Sequence, residues 1–446
     1  MSKAEDLAGE NILGVAKKAG EKTGAASRRL RVVRVIDRLN VGGPSKHVVW
    51  LAAGLDPEKF ETVLITGTVP EGEGDMSYFA RSAGVEPVVI REMSREPGLR
   101  DIIVIAKLLR QLWRIRPDIV HTHKSKAGAT GRIAAAVYRW LTPSALRLKP
   151  RECRVVHTYH GHIFHSYYGA AKTRLFILID RTLAKFCTDC IITISEHQRQ
   201  ELAVRFRIGP WDRFRVVPLG IDCDEAGGQQ GSLAEEFGLA PRELVVGTVG
   251  RLCEVKNYGL LLDASARALG EGERLVVIGD GHLRGELEEK ARKLAIADRV
   301  VFTGFRRDAP SLYSGLDIVA LTSLNEGTPL TLIEAMNAGL PVVATEVGGI
   351  VDIMGARLET RDGFSIWEHG LTAPSQDAEA FASALRFLLD RADLRREMGA
   401  RGRAFVRARL GRDRLVEDMG QLYEEMLSTR GTRRRWVTGL NKKGTI

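Results

Sequence analysis

Short runs of β-branched residues alternate with helix-like segments along most of this chain. The alternation begins at Leu30, and its clearest members are the strand-like run 32–36 and the helix-like segment 101–116, which Pro117 ends. Strict alternation of this kind indicates parallel sheets that carry helices on both faces. A second cycle follows, with strand-like runs at 244–249, 275–278, 300–303, 318–321 and 342–344. The sequence therefore predicts an α/β fold of two Rossmann-like, doubly wound parallel-sheet domains facing a cleft.

The boundaries of these domains follow from places where the pattern lapses. At 446 residues the chain is longer than one ordinary core accommodates. Residues 1–29 are polar and poorly periodic, which is typical of a flexible extension, and the stretch 226–231 is rich in Gly and Gln, as interdomain linkers are. The expected segments are an N-terminal extension (1–29), a first domain (30–225), a linker (226–241), a second domain (242–410), a helix that docks back (411–428) and a basic tail (429–446).

The distribution of positive charge along the chain indicates where the protein is located more clearly than it indicates its chemistry. A formal net charge of +10 admits nucleic acid, an anionic membrane or phosphorylated substrates as partners. After Glu425 the tail holds six Arg and Lys residues, no acid, and Trp436, a composition typical of surface anchors on anionic lipid. No stretch approaches the roughly 18 apolar residues of a membrane span. We expect a cytoplasmic protein with peripheral contact at the inner face of the plasma membrane.

The cysteines do not indicate a disulfide framework or a metal centre. There are five, scattered along the chain, as in proteins that keep their thiols reduced. Cys187 and Cys190 form a C-x-x-C pair, but no second pair completes a zinc site. We interpret both as structural residues.

The turn Gly42-Gly43-Pro44 follows the first strand-like run and precedes a helical segment. Such a turn exposes backbone amides and the positive end of a helix, where a diphosphate can bind. Two glycines at a strand-to-helix turn also occur for steric reasons alone, so both readings stay open. The spacing is not G-x-G-x-x-G, and the dinucleotide fingerprint is therefore missing.

Two cations stand at the end of the first strand of the second domain. Arg251 follows Gly250 directly, and Lys256 lies five residues further on. One cation at such a place is usually solvated, but two at one strand end, opposite a glycine turn, favour neutralisation of a phosphorylated leaving group.

The stretch 326–336, EGTPLTLIEAM, is the most informative part of the sequence. We expect Thr328 to cap a helix that begins at Pro329, which would expose the amides of Leu330 and Thr331. Glu326 then lies in the preceding loop and Glu334 within the helix, so the two carboxylates do separate jobs.

With these motifs the chain resembles the retaining GT-B glycosyltransferases of family 4, over about residues 30–430. The resemblance is carried by the E-x7-E spacing of Glu326 and Glu334 within EGTPLTLIEAMNAGLPVVAT, by GRLCEVKN and by TYHGH. The stretch 355–369 departs from the family by being longer, which affects the rim of the nucleotide pocket.

The resemblance implies a role for each matching residue. It makes Glu326 a contact for the hydroxyls of the transferred sugar and His160 a contact near the reacting carbon, and these two are the candidate catalytic residues. Glu334 would hold the ribose hydroxyls. The remaining donor-binding candidates are Gly42, Gly43, Arg251, Lys256, Gly327, Leu330 and Thr331.

No metal or other cofactor is expected. His121, His123, His157, His162 and His165 flank the same strand ends as His160, but they lack the helix-face spacing or added carboxylates of a zinc site. Asp222-Cys223-Asp224 imitates the D-x-D of metal-dependent transferases and lies at the domain boundary instead. The segment 124–128 could begin a plain helix or help bind phosphate.

The expected reaction moves a hexosyl or N-acetylhexosaminyl unit from a nucleotide sugar, by family resemblance a UDP-sugar, to a hydroxyl acceptor with retention of configuration. The basic tail suggests a lipid-linked acceptor and surface polysaccharide assembly. One alternative is a nucleotide-sugar 2-epimerase of the same fold. The other is a basic nucleic-acid-binding protein, although we find no aromatic platform or recognised module, so nucleic acid is not among the expected partners.

Overall fold

The first domain is built on a parallel sheet. The computed structural model describes residues 28–70, 73–94, 98–147, 149–161, 169–224, 232–240 and 242–428. Within them the first sheet has seven strands in the order β3-β2-β1-β4-β5-β6-β7. They are β1 Leu30–Val35, β2 Phe60–Thr66, β3 Val88–Val89, β4 Ile119–His123, β5 Arg154–Tyr159, β6 Cys190–Thr193 and β7 Phe214–Val216. The first strand, β1, lies near the middle of the sheet and pairs in parallel with β4, so the carboxyl ends of these two strands lie side by side.

Helices cover both faces of this sheet. They are α1 Gly43–Gly54, α2 Ser77–Ser82, α3 Arg100–Ile115, α4 Ser125–Trp140, α5 Ala170–Phe186 and α6 Glu196–Gln200. Leu112 and Leu108 of α3 and Ala134 of α4 are buried together against β1 and β4. The helix predicted at 101–116 is thus present, and Arg116 ends it in the left-handed conformation ahead of Pro117.

The second domain repeats the pattern and adds an antiparallel edge. Within the described residues its strands are ordered β10-β9-β8-β11-β12-β15-β14-β13. They are β8 Leu244–Val249, β9 Glu273–Ile278, β10 Val300–Gly304, β11 Ile318–Leu321, β12 Val342–Thr345, β13 Arg357–Arg361, β14 Phe364–Trp367 and β15 Gly370–Ala373. The helices are α7 Ser232–Phe237, α8 Tyr258–Ala268, α9 Arg284–Lys293, α10 Ala309–Leu312, α11 Leu330–Asn337, α12 Ala378–Leu389, α13 Ala392–Arg409 and α14 Arg412–Ser428. The predicted pair of Rossmann-like domains is confirmed.

Two segments differ from the pattern that the sequence suggested. Part of the expected linker forms α7, because Leu233 and Leu239 are buried in the core of the second domain. The long stretch 355–369 forms the antiparallel pair β13–β14, joined by Asp362 and Gly363 with φ of 48° and 81°. An Asp-Gly pair with positive φ at both positions is the favoured two-residue hairpin turn.

The last helix, α14, returns to the first domain. Its apolar face, formed by Leu415, Met419, Leu422, Tyr423 and Met426, is buried against the first sheet and α1. The crossing point is fixed by a backbone bridge between Ile221 and Gly411 and by an ion pair of 2.6 Å between Arg412 and Asp222. The face of the first sheet is therefore completed by the end of the chain.

A row of histidines is buried where α14 meets the sheet. His121 and His123 alternate along β4 and point to the same face. The His121 ring bonds the Tyr423 hydroxyl at 2.6 Å and the Thr158 hydroxyl at 2.7 Å. Arg34, also fully buried, lies over the Tyr423 ring. Burial and this positive neighbour hold the pKa of His121 well below its usual range, so the imidazole is neutral.

The stability of the folded protein should therefore decrease as the pH falls. Burial also lowers the pKa of His47 to about 3 and that of His157 well below normal. The unfolded chain binds protons below about pH 6.5 that the folded protein excludes, so the free energy of unfolding should fall as pH drops, by about 1.4 kcal/mol per pH unit for each such histidine. Urea unfolding at several pH values between 7.5 and 5 measures this slope.

Two variants make that experiment specific. His47→Gln should reduce the slope of the unfolding free energy against pH by the contribution of one proton, about 1.4 kcal/mol per pH unit, whatever its effect on stability at neutral pH. The buried neighbour of His47 on α1, Val48, which does not titrate, provides the control, and Val48→Ala should leave the slope unchanged. Stability that does not vary with pH would show that the buried rings accept protons in the folded state.

Candidate functional site

The carboxyl ends of the two parallel sheets face each other across a narrow cleft. One close approach joins the start of α1 to the start of α11, where a Cβ atom on Gly43 would lie 2.9 Å from Leu330 Cδ1. Another joins the loop before α11 to the end of β5, since a Cβ on Gly327 would lie 2.6 Å from the His160 carbonyl oxygen. Glycine is therefore required at Gly327, where the neighbour is backbone, whereas a Cβ on Gly43 would displace the end of the Leu330 side chain.

The turn before α1 presents a helix start to the cleft. Gly42 precedes the helix with a φ of 150°, a conformation that favours glycine. Pro44 is the second helical residue, and Ser45 bonds the Asn40 carbonyl through its hydroxyl. The start of α1 lies against Leu330 of the second domain, and a phosphate contact at this end stays a prediction.

The start of α11 differs in detail from the prediction. Pro329 lies before the helix rather than in it, and no side chain caps the helix. Thr328 is buried with its hydroxyl unpaired among the described residues, so the expected cap is wrong. The carbonyl of Pro329 accepts from Leu332 and Ile333, which leaves the amides of Leu330 and Thr331 without an intrahelical acceptor. The local geometry thus differs from the predicted one, and the donor-binding role of these two amides stays a prediction.

Lys256 and Glu326 form an ion pair on the second domain's side of the cleft. The Lys256 ammonium lies 2.6 Å from the Glu326 carboxylate, which also accepts from the Ser323 hydroxyl at 2.6 Å. Both partners are mostly buried. Lys256 therefore already has an anionic partner, and the geometry links the predicted diphosphate ligand to the predicted sugar ligand.

Arg251 extends the positive charge across the cleft. Its side chain is exposed in the loop after β8. On the opposite side Lys124, directly after β4, bonds the side chains of Asn40 and Asp37 at 3.0 and 3.1 Å. Burial lowers the pKa of Lys124, and the charges of Arg38 and Arg251 act in the same direction. Lys124 is thus part of the positive surroundings of the cleft.

Glu334 joins the two domains. Its carboxylate accepts a hydrogen bond from Lys46 of α1 at 2.6 Å and another from the Tyr313 hydroxyl at 3.2 Å. Tyr313 also bonds the carbonyl of Thr331. Lys46 and Tyr313 were not predicted, because neither belongs to a recognisable motif.

His160 lies at the end of β5 within a group of imidazoles. Its Nε2 is 3.1 Å from Nδ1 of His123, and its ring lies 4.8 Å from that of His47. Burial holds the pKa of His160 well below its usual range, so the ring is neutral, with one nitrogen a donor and the other an acceptor. Sequence reasoning missed the contribution of His47, whose position on a helix gave no signal.

These three histidines could coordinate a metal ion. One nitrogen from each of His47, His123 and His160 lies within 4.8 Å of the others. Their surroundings are cationic, since the charges of Arg34 and Lys124 both lower the pKa of neighbouring rings. None of the three rings bonds a carboxylate among the described residues, unlike most metal-ligating histidines. The donor set alone fits a divalent cation, but its electrostatic surroundings do not.

The other residues that were considered and rejected as metal ligands from the sequence have different surroundings. His121 and His157 are hydrogen bonded within the core, and His162 and His165 lie outside the described residues. Asp222 is paired with Arg412 at the crossing between domains.

A glycine loop at the end of β9 was missed. Leu252 donates its amide to the Asp280 carbonyl at 3.0 Å, and Gly250 donates to Ile278 at 3.0 Å, so this loop supports the backbone on either side of Arg251. The sequence Gly279-Asp280-Gly281, directly after a strand-like run, was the available signal.

Comparisons with known protein sequences match both halves of the chain. The family described as "Glycosyltransferase Family 4" matches residues 41–225, and that described as "Glycosyl transferases group 1" matches residues 243–391. EpsF of Bacillus subtilis (strain 168) is 35% identical over 355 residues, which are 76% of this chain and 86% of EpsF. The UDP-Gal:alpha-D-GlcNAc-diphosphoundecaprenol alpha-1,3-galactosyltransferase of Escherichia coli is 30% identical over 272 residues, 59% of this chain and 66% of that enzyme.

Solved structures show the same fold. Anabaena Alr3699/HepE, in complex with UDP and glucose, superposes with a TM-score of 0.71 and 19% identity, covering 90% of this chain and all of that one. These relatives do not favour the epimerase alternative. With both halves of the chain matched and the two facing sheets in place, the protein belongs to glycosyltransferase family 4 and is a GT-B nucleotide-sugar glycosyltransferase.

Proposed function

We propose that the enzyme transfers a hexosyl or N-acetylhexosaminyl unit from a UDP-sugar to a hydroxyl acceptor, with retention and without a metal ion. The observation that carries this proposal is the position of Lys256, which is paired with Glu326 in the loop before α11. The amides of Leu330 and Thr331 at the start of that helix lack an intrahelical acceptor, and Arg251 is exposed after β8. These groups form a preorganised positive site for a diphosphate, which is where negative charge grows as the sugar departs.

The ion pairs of the cleft suggest how a donor is received. Lys256 is paired with Glu326 and Lys46 with Glu334, so each proposed ligand carboxylate has a cation beside it. A diphosphate attracts Lys256 and leaves Glu326 to accept from sugar hydroxyls, whereas the ribose hydroxyls take the place of Lys46 at Glu334. Domain contact at Gly43 and Leu330 then excludes water, which would otherwise act as acceptor.

Retention is proposed to occur on one face of the sugar. A double displacement would need a carboxylate close behind the anomeric carbon. Glu326 is assigned to sugar hydroxyls, and His160 is a neutral hydrogen-bonding group. The bond to the diphosphate breaks, the acceptor oxygen attacks the same face, and its proton passes to the departing phosphate oxygen.

The identity of donor and acceptor rests on relatives. The Escherichia coli enzyme acts, by its name, on UDP-Gal and a diphosphoundecaprenol-linked sugar, and the Anabaena protein binds UDP and glucose. A lipid-linked acceptor used in surface polysaccharide or glycoconjugate assembly is the corresponding proposal for this chain. No helix of the described residues has the length and apolar character needed to span a bilayer.

Glu334→Ala should weaken UDP binding while leaving the fold intact. Loss of a charged hydrogen-bonding partner costs about 1.5–3 kcal/mol, which raises Kd roughly 10- to 150-fold. Isothermal titration with UDP measures the change, and Glu379→Ala, an exposed glutamate of the same domain, is the matched control. UDP affinity equal to that of wild type would remove Glu334 from the nucleotide site.

The product should keep the anomeric configuration of the donor, and activity should survive EDTA. Arg251, Lys256 and the α11 amides supply the positive field that a metal ion supplies elsewhere. Proton NMR of the first-formed glycoside, with and without EDTA, tests both points. An inverted anomeric signal would contradict retention, whereas activity that EDTA abolishes and manganese restores would turn attention to His47, His123 and His160, or to Asp222 and Asp224.

The basic tail should contribute to peripheral membrane contact. It lies outside the described residues, so its composition alone supports the proposal. Each cation near an anionic surface adds about 1 kcal/mol, and deletion of residues 429–446 should reduce cosedimentation with anionic vesicles. High salt should have the same effect on the full chain. Equal sedimentation of the two proteins would show that the tail is not an anchor.

A further inference from the structure

Helix α5 has two apolar faces, only one of which is covered by the described part of the chain. Leu183 and Ala184 are buried against the sheet. On the other side Leu175, Leu178 and Phe186 are 54%, 60% and 67% exposed. Together with Ile179 they fall within an arc of about 100° on the helix. The apolar arc is thus directed to the outside.

Positive residues border this apolar arc on both sides. Lys172 lies on one side, and Arg174, Arg181 and Lys185 lie on the other, all of them exposed. The acidic residue of the helix, Asp180, is buried in an ion pair with Arg132. The outer surface of α5 therefore combines exposed apolar side chains with charge of one sign.

The neighbouring helices α3 and α4 also combine positive charge with exposed apolar side chains. Helices α3, α4 and α5 pack side by side, and together they contain eleven Lys and Arg residues but only two Asp. Trp113 of α3 and Trp140 of α4 are 43% and 49% exposed. Of the eighteen large hydrophobic residues exposed in the described parts of the chain, fifteen belong to the first domain. The apolar exposure is thus concentrated on one domain.

From this surface we infer that α5 docks on an anionic lipid bilayer. Leu175, Leu178 and Phe186 would enter the boundary between headgroups and acyl chains, while the bordering cations contact lipid phosphates. A second copy of the chain is a poorer occupant, because a symmetric contact through α5 would bring the positive borders together.

The location of α5 connects this surface to the cleft. The helix begins at the carboxyl edge of the first sheet, shortly after His160 at the end of β5. A bilayer in contact with α5 thus lies beside the first domain, close to the carboxyl edge of its sheet. This inference deepens the proposed function, on which it rests for the lipid-linked acceptor, but the docking itself requires only the surface.

Vesicle binding by the full-length protein tests the inference. The variants are Leu175→Ser with Leu178→Ser, and separately Arg174→Gln with Lys185→Gln. The matched control, Phe305→Ser with Leu358→Ser, removes two exposed apolar side chains of the second domain. On phosphatidylcholine vesicles that contain phosphatidylglycerol, each α5 variant should lose about tenfold in partition coefficient, while the control binds as wild type does. Removing phosphatidylglycerol should weaken binding by wild type.

Three results would overturn the inference. One is unchanged partitioning of both α5 variants. Another is a wild-type dimer by light scattering that the leucine variant converts to monomer, with no vesicle binding. The third is salt-dependent binding of random oligonucleotides by wild type, lost in the cation variant, again without vesicle binding. UDP titration of the same proteins separates the two proposals: failure of wild type to bind UDP would refute the donor assignment without affecting the vesicle result.

Discussion

The contact between the starts of α1 and α11 is the constraint on which the site depends. At this contact Gly43 lies against the Leu330 side chain, and one turn further along each helix Lys46 and Glu334 form an ion pair. Both helices begin at this contact, and the first amides of a helix have no intrahelical acceptor. The charges at this point of the cleft thus depend on how closely the two helix starts approach each other.

The carboxylates of the cleft are already paired, and its buried imidazoles are neutral, before a donor binds. The carboxylates of Glu326 and Glu334 are held by lysines, and the imidazoles around His160 are neutral because they are buried beside cations. When a donor binds, the two ion pairs exchange partners, whereas the cations and the helix starts are already in place, which favours electrostatic catalysis. The cost is a buried polar group, His47, whose two ring nitrogens have no partner among the described residues.

Much of the fold and part of the site could be predicted because their signals are local. Strands such as β8 coincide with the predicted run 244–249, and the stretch from Glu326 to Glu334 is a continuous motif. The pairing of Lys46 with Glu334 joins residues 288 positions apart, and nothing in the sequence near either indicates it. Thr328 shows the limit of local rules, because the helix begins one residue later than its capping preference predicts and its hydroxyl is buried without a partner among the described residues.

The return of α14 to the first domain has a consequence for how the protein is made. The first sheet cannot bury Val32, Ile119 and Ile192 fully until Leu415 and Tyr423 pack against them. Synthesis proceeds from the N-terminus, so the first domain waits for nearly the whole chain to leave the ribosome before its core closes. During that interval the part of this sheet face that α14 covers stays apolar and exposed, beside the part that Leu51 and Leu55 of α1 cover. The second domain is complete earlier, which reverses the usual order in which domains mature.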